Sequence, residues 1–241
     1  MGDFSQSGIV ATLHNFETKS TAELESDLKL FSGYRPMELI LPSLLSEIDG
    51  PALGDIVEQI SKTDYLQHVI IGLDGADRDG YERAYSFFSN LNMPFSMLWN
   101  DGPRLRAIHR ELEDAGFDPI EAGKGRNVWC CIGYTQARGK ADAVALHDCD
   151  ILTYDRALLA RLFYPIANPN FQFEFCKGYY ARVADGKMNG RVSRLLVSPL
   201  LLAMERVLGP NDYLSFMRSF RYPLAGEFSF RRSLIPELRI P

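Results

Sequence analysis

Two aspartates one residue apart, Asp148 and Asp150, follow the apolar run Ala143-Val-Ala-Leu-His147. Carboxylates so spaced at a strand end can hold a hard divalent cation, Mg²⁺ or Mn²⁺, which takes carboxylate, water and phosphate oxygens. The alternative is a pair of solvated loop acids. A second such pair, Asp77-Arg78-Asp79, lies past a strand end in a loop, and only strand context separates the two. Gly123-Lys124-Gly125-Arg126-Asn127 stands at the mouth of a helical pattern. Glycines let the backbone approach a phosphate, and Lys124 supplies a compact positive charge. An ordinary surface turn with a solvated lysine is the competing reading. Asn189-Gly190-Arg191-Val192-Ser193-Arg194 opens a long helical pattern. Free amides at a helix start, with the Arg191 fork beside them, suit an anion. A plain helix start with exposed arginines fits as well. Glu227 stands among apolar and aromatic residues in the stretch Phe220 to Ser229. It fits a catalytic carboxylate or a structural partner of Arg231 or Arg221 about equally.

Other chemistries find little support. No GxxxxGK[ST] and no GxGxxG occurs, which weakens P-loop and dinucleotide readings. There is no Gly-x-Ser-x-Gly elbow. His14, His68 and His109 are dispersed, and His147 faces either the acidic pair or the other side of the sheet. Cysteines at 130, 131, 149 and 176 form no CxxC pair, so free thiols in a reducing cytoplasm are expected. The chain has 241 residues with 26 basic and 31 acidic side chains, a net charge of −5. That balance argues against nonspecific nucleic-acid binding and leaves room for a local basic pocket. No apolar stretch is long enough to span a bilayer as a helix.

The elements that must position these residues alternate. Strand patterns at 38–41, 68–73, 95–99 and 143–147 are separated by helical spacing at Leu53/Ile56/Val57/Ile60, Tyr81 to Leu91, Leu105/Ile108/Leu112 and 127–137. The first strand is expected to stop at Pro42. This alternation predicts an α/β fold with a mostly parallel sheet, and ligands then bind beyond the carboxyl ends of the strands. Before it lies a polar lead-in with one weak helix (Leu24, Leu28, Phe31). After about residue 170 the texture changes. Phe171, Phe173 and Phe175 fall near period two and read as core. A helix from about Gly190 to Leu208 is expected to kink at Pro199. The abrupt finish at Pro241 suggests that a C-terminal part is missing.

The segments LPSLLSE (41–47), GLDGAD (72–77), GKGRNVW (123–129), HDCDI (147–151), KGYYAR (177–182), NGRVSRLL (189–196) and YPLAGEFSFRR (222–232) share an order and spacing. In them the chain resembles the glucosyl-3-phosphoglycerate and mannosyl-3-phosphoglycerate synthases, nucleotide-sugar glycosyltransferases of the GT-A type. The resemblance implies a Rossmann-like GT-A sheet flanked by helices, with added antiparallel strands and helices after about residue 170. It divides the chain into a lead-in (1–35), a nucleotide-sugar-binding half (36–152) and an acceptor-binding half (153–241) truncated at its C-terminus. It implies transfer of glucose or mannose from an NDP-sugar to 3-phosphoglycerate with retention, aided by Mg²⁺ or Mn²⁺. Leu41, Pro42, Ser43 and Glu47 would line the nucleotide pocket, with Asp74 near the nucleobase or ribose. Lys124 would contact the donor, Asp148 the sugar or ribose, and Asp150 the metal. Gly190, Arg191, Val192 and Ser193 would hold the acceptor's phosphate and carboxylate. Glu227 would orient the hexose or the acceptor hydroxyl. Relatives are often dimeric, but no stretch here identifies an interface. LPSLLSE departs from the family's common Asn-Glu-Glu-bearing turn. The chain also ends before the family's metal-binding histidine. Another small acceptor such as glycerate, or binding without turnover, remain the competing functions.

Overall fold

β1 (Met37–Leu44) buries seven of its eight residues. Such a run, apolar on both faces, belongs in the middle of a parallel sheet covered by helices. A computed structural model of the chain describes residues 19–117, 121–179, 183–184, 187–188, 192–220, 222 and 224–238. The chain falls into two compact units. One takes 19–175 and 227–241, the other 1–18 and 176–226.

In the larger unit α1 (Thr21–Ser32) precedes β1. It starts at a capping box in which Ser20 and Glu23 satisfy each other's backbone N–H. Then follow α2 (Leu53–Ser61), β2 (Leu66–Asp74), α3 (Arg78–Phe88), β3 (Phe95–Trp99), α4 (Pro103–Asp114), α5 (Lys124–Arg138), β4 (Ala143–Leu146) and α6 (Arg156–Ala167). β5 (Phe175–Lys177) is where the chain leaves this unit, and β8 (Phe228–Arg231) is where it has returned. The strands lie in the order β3-β2-β1-β4-β8-β5. β3, β2, β1 and β4 are parallel, and β8 pairs antiparallel with β4. α5 covers one face through Val128, Cys131 and Ile132, packed on Ile40, Ile70, Val144 and Phe230. α6 packs on β4 and β8, and α1 packs on α6. Cys130, Cys131 and Cys149 are buried free thiols.

The amino ends of the strands carry a buried polar cluster. Glu38 stands in register with His68. Arg138 Nε donates to Glu38 Oε1 at 3.2 Å. His68 Nε2 and Ser96 Oγ are hydrogen-bonded at 2.9 Å, and Ser96 Oγ and Tyr134 Oη at 3.0 Å. Burial pushes the Glu38 carboxyl up, against the pull of Arg138. Burial, reinforced by Arg138, lowers His68 to about 4. His68 is therefore a satisfied core residue.

Several expectations need correcting. β1 does not stop at Pro42 but continues to Leu44. Its pairing with β4 ends at Ile40, so Pro42 pairs only with β2 and no N–H is required on the other side. α3 ends at Phe88, leaving Leu91 beyond it. Asp77 caps that helix by accepting from the Gly80 N–H at 2.8 Å, which gives the first member of this second acidic pair a structural role. Only Phe175 of the 171–175 aromatic stripe lies in a strand. α6 and β8 carry no alternating signature and escape a periodicity reading.

In the smaller unit a two-stranded hairpin joins β6 (Val183–Ala184) to β7 (Lys187–Met188). A π-helical turn, Ser193–Val197, runs into α7 (Ser198–Leu208). The expected disturbance at Pro199 takes this form. Proline has no N–H for the carbonyl four residues back and its ring crowds that oxygen. A wider turn, with Ser198 N–H reaching Ser193 O, relieves the crowding. α8 (Asp212–Ser219), capped by Asn211, is tied to α7 by Ser215 and Arg218 on Glu205.

Candidate active site

The carboxyl ends of the parallel strands form one rim. β1 and β2 end side by side, Leu44 in register with Asp74. β3 delivers Asn100 and Asp101, and β4 delivers Asp148 and Asp150. α5 starts three residues earlier than the spacing predicts, so Lys124 occupies its first turn. Gly123 before it has φ 152° and ψ −176°, a conformation restricted to glycine in practice. Lys124 Nζ is ion-paired to Asp148. Asp148 is half-buried, and Asp150 is exposed with no ion pair among the described residues. Between them Cys149 points inward, its thiol pushed well up by burial. His147 is fully buried, its Nδ1 3.0 Å from the Asp148 carbonyl and its ring against Tyr154. Burial lowers His147 to about 4, so it stands neutral behind the acidic pair.

Glu227 reaches this rim through a distant piece of chain. Phe228 pairs with Leu146 in the antiparallel ladder. Glu227 immediately precedes Phe228, at the end of the ladder where β4 gives way to His147. It is 2% exposed. Of its two expected structural partners, Arg231 pairs with Asp142 at 3.7 Å, and Arg221 lies outside the described residues.

The residues expected on the nucleotide side are placed as follows. Leu41, Pro42 and Ser43 are buried in β1. Glu47 Oε2 accepts from the Leu44 N–H at 2.8 Å, fixing the turn after β1. Asp74 is almost buried and is held by Arg126 Nη2 at 3.1 Å. A cavity of about 350 Å³ opens beside it, lined by Leu44, Leu45, Ser46, Asp49, Asp74, Gly75 and Arg83. Sequence reasoning gave no role to Leu44, Arg83 or Arg126. For Arg126 the signal was present, a second cation two residues after Lys124 in the same helical turn. Of the residues expected at the acceptor, Gly190 and Arg191 lie outside the described residues. Val192 is exposed, while Ser193 is buried with a hydroxyl that has no hydrogen-bond partner among the described residues. Both belong to the smaller unit.

A divalent cation fits this rim in one way. Among the described residues no three His, Cys, Asp or Glu side chains gather as a ligand set. Asp150 offers a free carboxylate beside a lysine that suits phosphate. Mg²⁺ binds through one or two carboxylates with water and phosphate oxygens completing the shell, and that is the donor set available here.

The fold is the GT-A type of α/β sheet. The solved glucosyl-3-phosphoglycerate synthase of Mycobacterium tuberculosis in complex with Mn²⁺, UDP-glucose and phosphoglyceric acid matches with a TM-score of 0.61 and 21% identity. The match covers 92% of this chain and 64% of that one. The same enzyme with glycerol 3-phosphate gives a TM-score of 0.60 at 20% identity, over 94% of this chain and 66% of that one. No family model matches. In sequence, the glucosyl-3-phosphoglycerate synthase of Persephonella marina is 46% identical over 240 residues, 100% of this chain and 59% of its own length. That of Methanococcoides burtonii is 36% identical over 245 residues, 99% of this chain and 59% of its own. The chain is thus homologous along its whole length to the glucosyl-3-phosphoglycerate synthases, and it spans about three-fifths of the relatives it matches.

Proposed function

We propose that the chain carries the nucleotide-sugar-binding half (36–152) and the acceptor-binding half (153–241) of a retaining hexosyltransferase. It moves glucose, with mannose as the competing sugar, from an NDP-sugar to 3-phosphoglycerate in the making of glucosylglycerate-type compatible solutes. The observation that carries this reading is end-to-end homology to two glucosyl-3-phosphoglycerate synthases, joined to a rim that bears Lys124, Asp148 and Asp150. Free thiols suit a cytoplasmic enzyme.

The chemistry follows from charge. Breaking the sugar–phosphate bond leaves negative charge on the diphosphate. Mg²⁺ or Mn²⁺ held by Asp150 and the diphosphate oxygens would stabilise that charge when bound. Lys124 would act on the same charge from the first turn of α5. To do so it exchanges Asp148 for the diphosphate, which releases Asp148 to accept from hydroxyls of the sugar or ribose. Leu41, Pro42, Ser43, Glu47 and Asp74 shape the nucleotide side. Gly190, Arg191, Val192 and Ser193 take the acceptor's phosphate and carboxylate, a local positive site that a chain of net charge −5 requires. Glu227 orients the hexose or the acceptor hydroxyl and forms no covalent intermediate.

The test offers UDP-glucose, GDP-glucose and GDP-mannose separately, with 3-phosphoglycerate and Mn²⁺, and reads free nucleoside diphosphate. Release that needs both acceptor and metal supports the transfer and names the donor. Competition by glycerate decides the acceptor. A donor-induced rise in melting temperature without release reduces the reading to binding alone. Neither release nor shift overturns it.

A further inference from the structure

We infer that Arg126 is a positioning residue for the nucleoside, clamping the turn after β2 so that Asp74 presents its carboxylate to the base or ribose. The inference rests on the nucleotide-sugar reading above and deepens it.

Arg126 Nη2 donates to Asp74 Oδ1 at 3.1 Å and lies 3.5 Å from Asp101 Oδ1. The second oxygen of Asp101 accepts from the Gly75 N–H at 2.8 Å and the Ala76 N–H at 3.4 Å. Trp99 Nε1 donates to the Ala76 carbonyl at 2.7 Å. Each residue of the turn 74–76 is therefore held by the end of β3 or the start of α5. Asp74 and Gly75 form one wall of the 350 Å³ cavity.

The arrangement carries a cost that a surface ion pair does not need. The Arg126 side chain is 12% exposed, and its buried Nε has no hydrogen-bond partner among the described residues. An unmade bond on a buried donor is unfavourable. Two carboxylates around one cation leave a net negative charge. That sign repels phosphate and suits the N–H and O–H donors of a nucleoside. The phosphate-directed charge stands two residues earlier, on Lys124. One helical turn thus addresses both halves of a nucleoside diphosphate, Lys124 the phosphates and Arg126, through Asp74, the nucleoside.

Calorimetric titration with UDP, GDP and inorganic pyrophosphate, each with Mn²⁺, tests this on the wild-type chain and on R126M, R126K, D101N and the R126M/D101N double variant. R126M is expected to weaken UDP or GDP binding about tenfold, the equivalent of 1.4 kcal/mol, and to leave pyrophosphate binding unchanged. R126K should recover part of the loss. The double variant should bind no worse than R126M, because both act through the same turn. Equal weakening for pyrophosphate, or unchanged nucleotide binding in folded R126M, overturns the inference. If R126M does not fold, R126K and D101N are held to the same nucleotide-to-pyrophosphate ratio. A wild-type chain that binds neither UDP nor GDP removes the nucleotide reading, and this inference with it.

Discussion

The two ends of the parallel sheet both carry charge, and they use it differently. At the amino end Glu38 is 1% exposed and gives one oxygen to Arg138, beside a separate hydrogen-bonded chain of His68, Ser96 and Tyr134. At the carboxyl end Asp150 is exposed and unpaired among the described residues, and Asp148 shares an ion pair with a half-exposed lysine. Burial makes the first cluster expensive to disturb and useless to a ligand. Exposure makes the second cheap to disturb and available for exchange. Charge of the same kind is thus structural or functional according to whether its partners are already committed.

The comparison can be broken in four ways. The largest effect belongs to Asp150→Ala. Nucleotide release that depends on Mn²⁺ should fall at least about 100-fold, the scale of a lost charge-stabilising contact, with the melting temperature nearly unchanged. Persistence of metal-dependent turnover would sink the assignment. Second, Arg138→Ala should cost about 3 kcal/mol in urea denaturation, because it strands the Glu38 carboxyl in the core. A loss below about 1 kcal/mol would show the amino-end cluster to be as loosely committed as the rim.

Third, stability should fall as pH drops from about 6.5 towards 4. His68 and His147 are lowered to about 4 by burial. Over that window the unfolded chain takes up protons that the folded chain refuses, which favours unfolding. Glu38, raised by burial, works in the opposite sense: its share is present at acid pH and lost as pH rises. Urea melts at pH 7, 6 and 5 should show the trend, and His68→Gln should flatten it. An equal slope in that variant removes His68 as a source. The smallest effect is Lys124→Met. Its ion pair with Asp148 is about half exposed on the lysine side, so stability should move by less than about 1 kcal/mol. Donor-dependent release should drop far more than stability does, measured side by side.

What could be read from residues alone follows the same division. From 37 to 147 apolar period and length reveal strands and helices, most of which bury a face against a neighbour, while α4 buries no residue and is read from its period alone. The acidic pair is legible because the strand before it is. The resemblance alone supplies Glu227; the register of β8 with β4 carries the chain to the residue after it. α6 was missed because RALLARLFYPIA is apolar on most sides and holds Pro165 inside the helix. Arg126 is legible as a second cation after Lys124, but its partners, Asp74 and Asp101, come from two different strand ends that no spacing along the chain joins.

The return of β8 also has a consequence in time. Phe228 leaves the ribosome about 80 residues after its ladder partner Leu146, a delay of several seconds at roughly 5–20 residues per second. During that interval the nascent sheet displays the flank of β4 that β8 later covers. A chaperone, or another nascent chain with an unpaired strand, could occupy that flank first. Glu227 takes its place at the start of β8 only when the late strand has docked, after the β1–β4 ends are already formed.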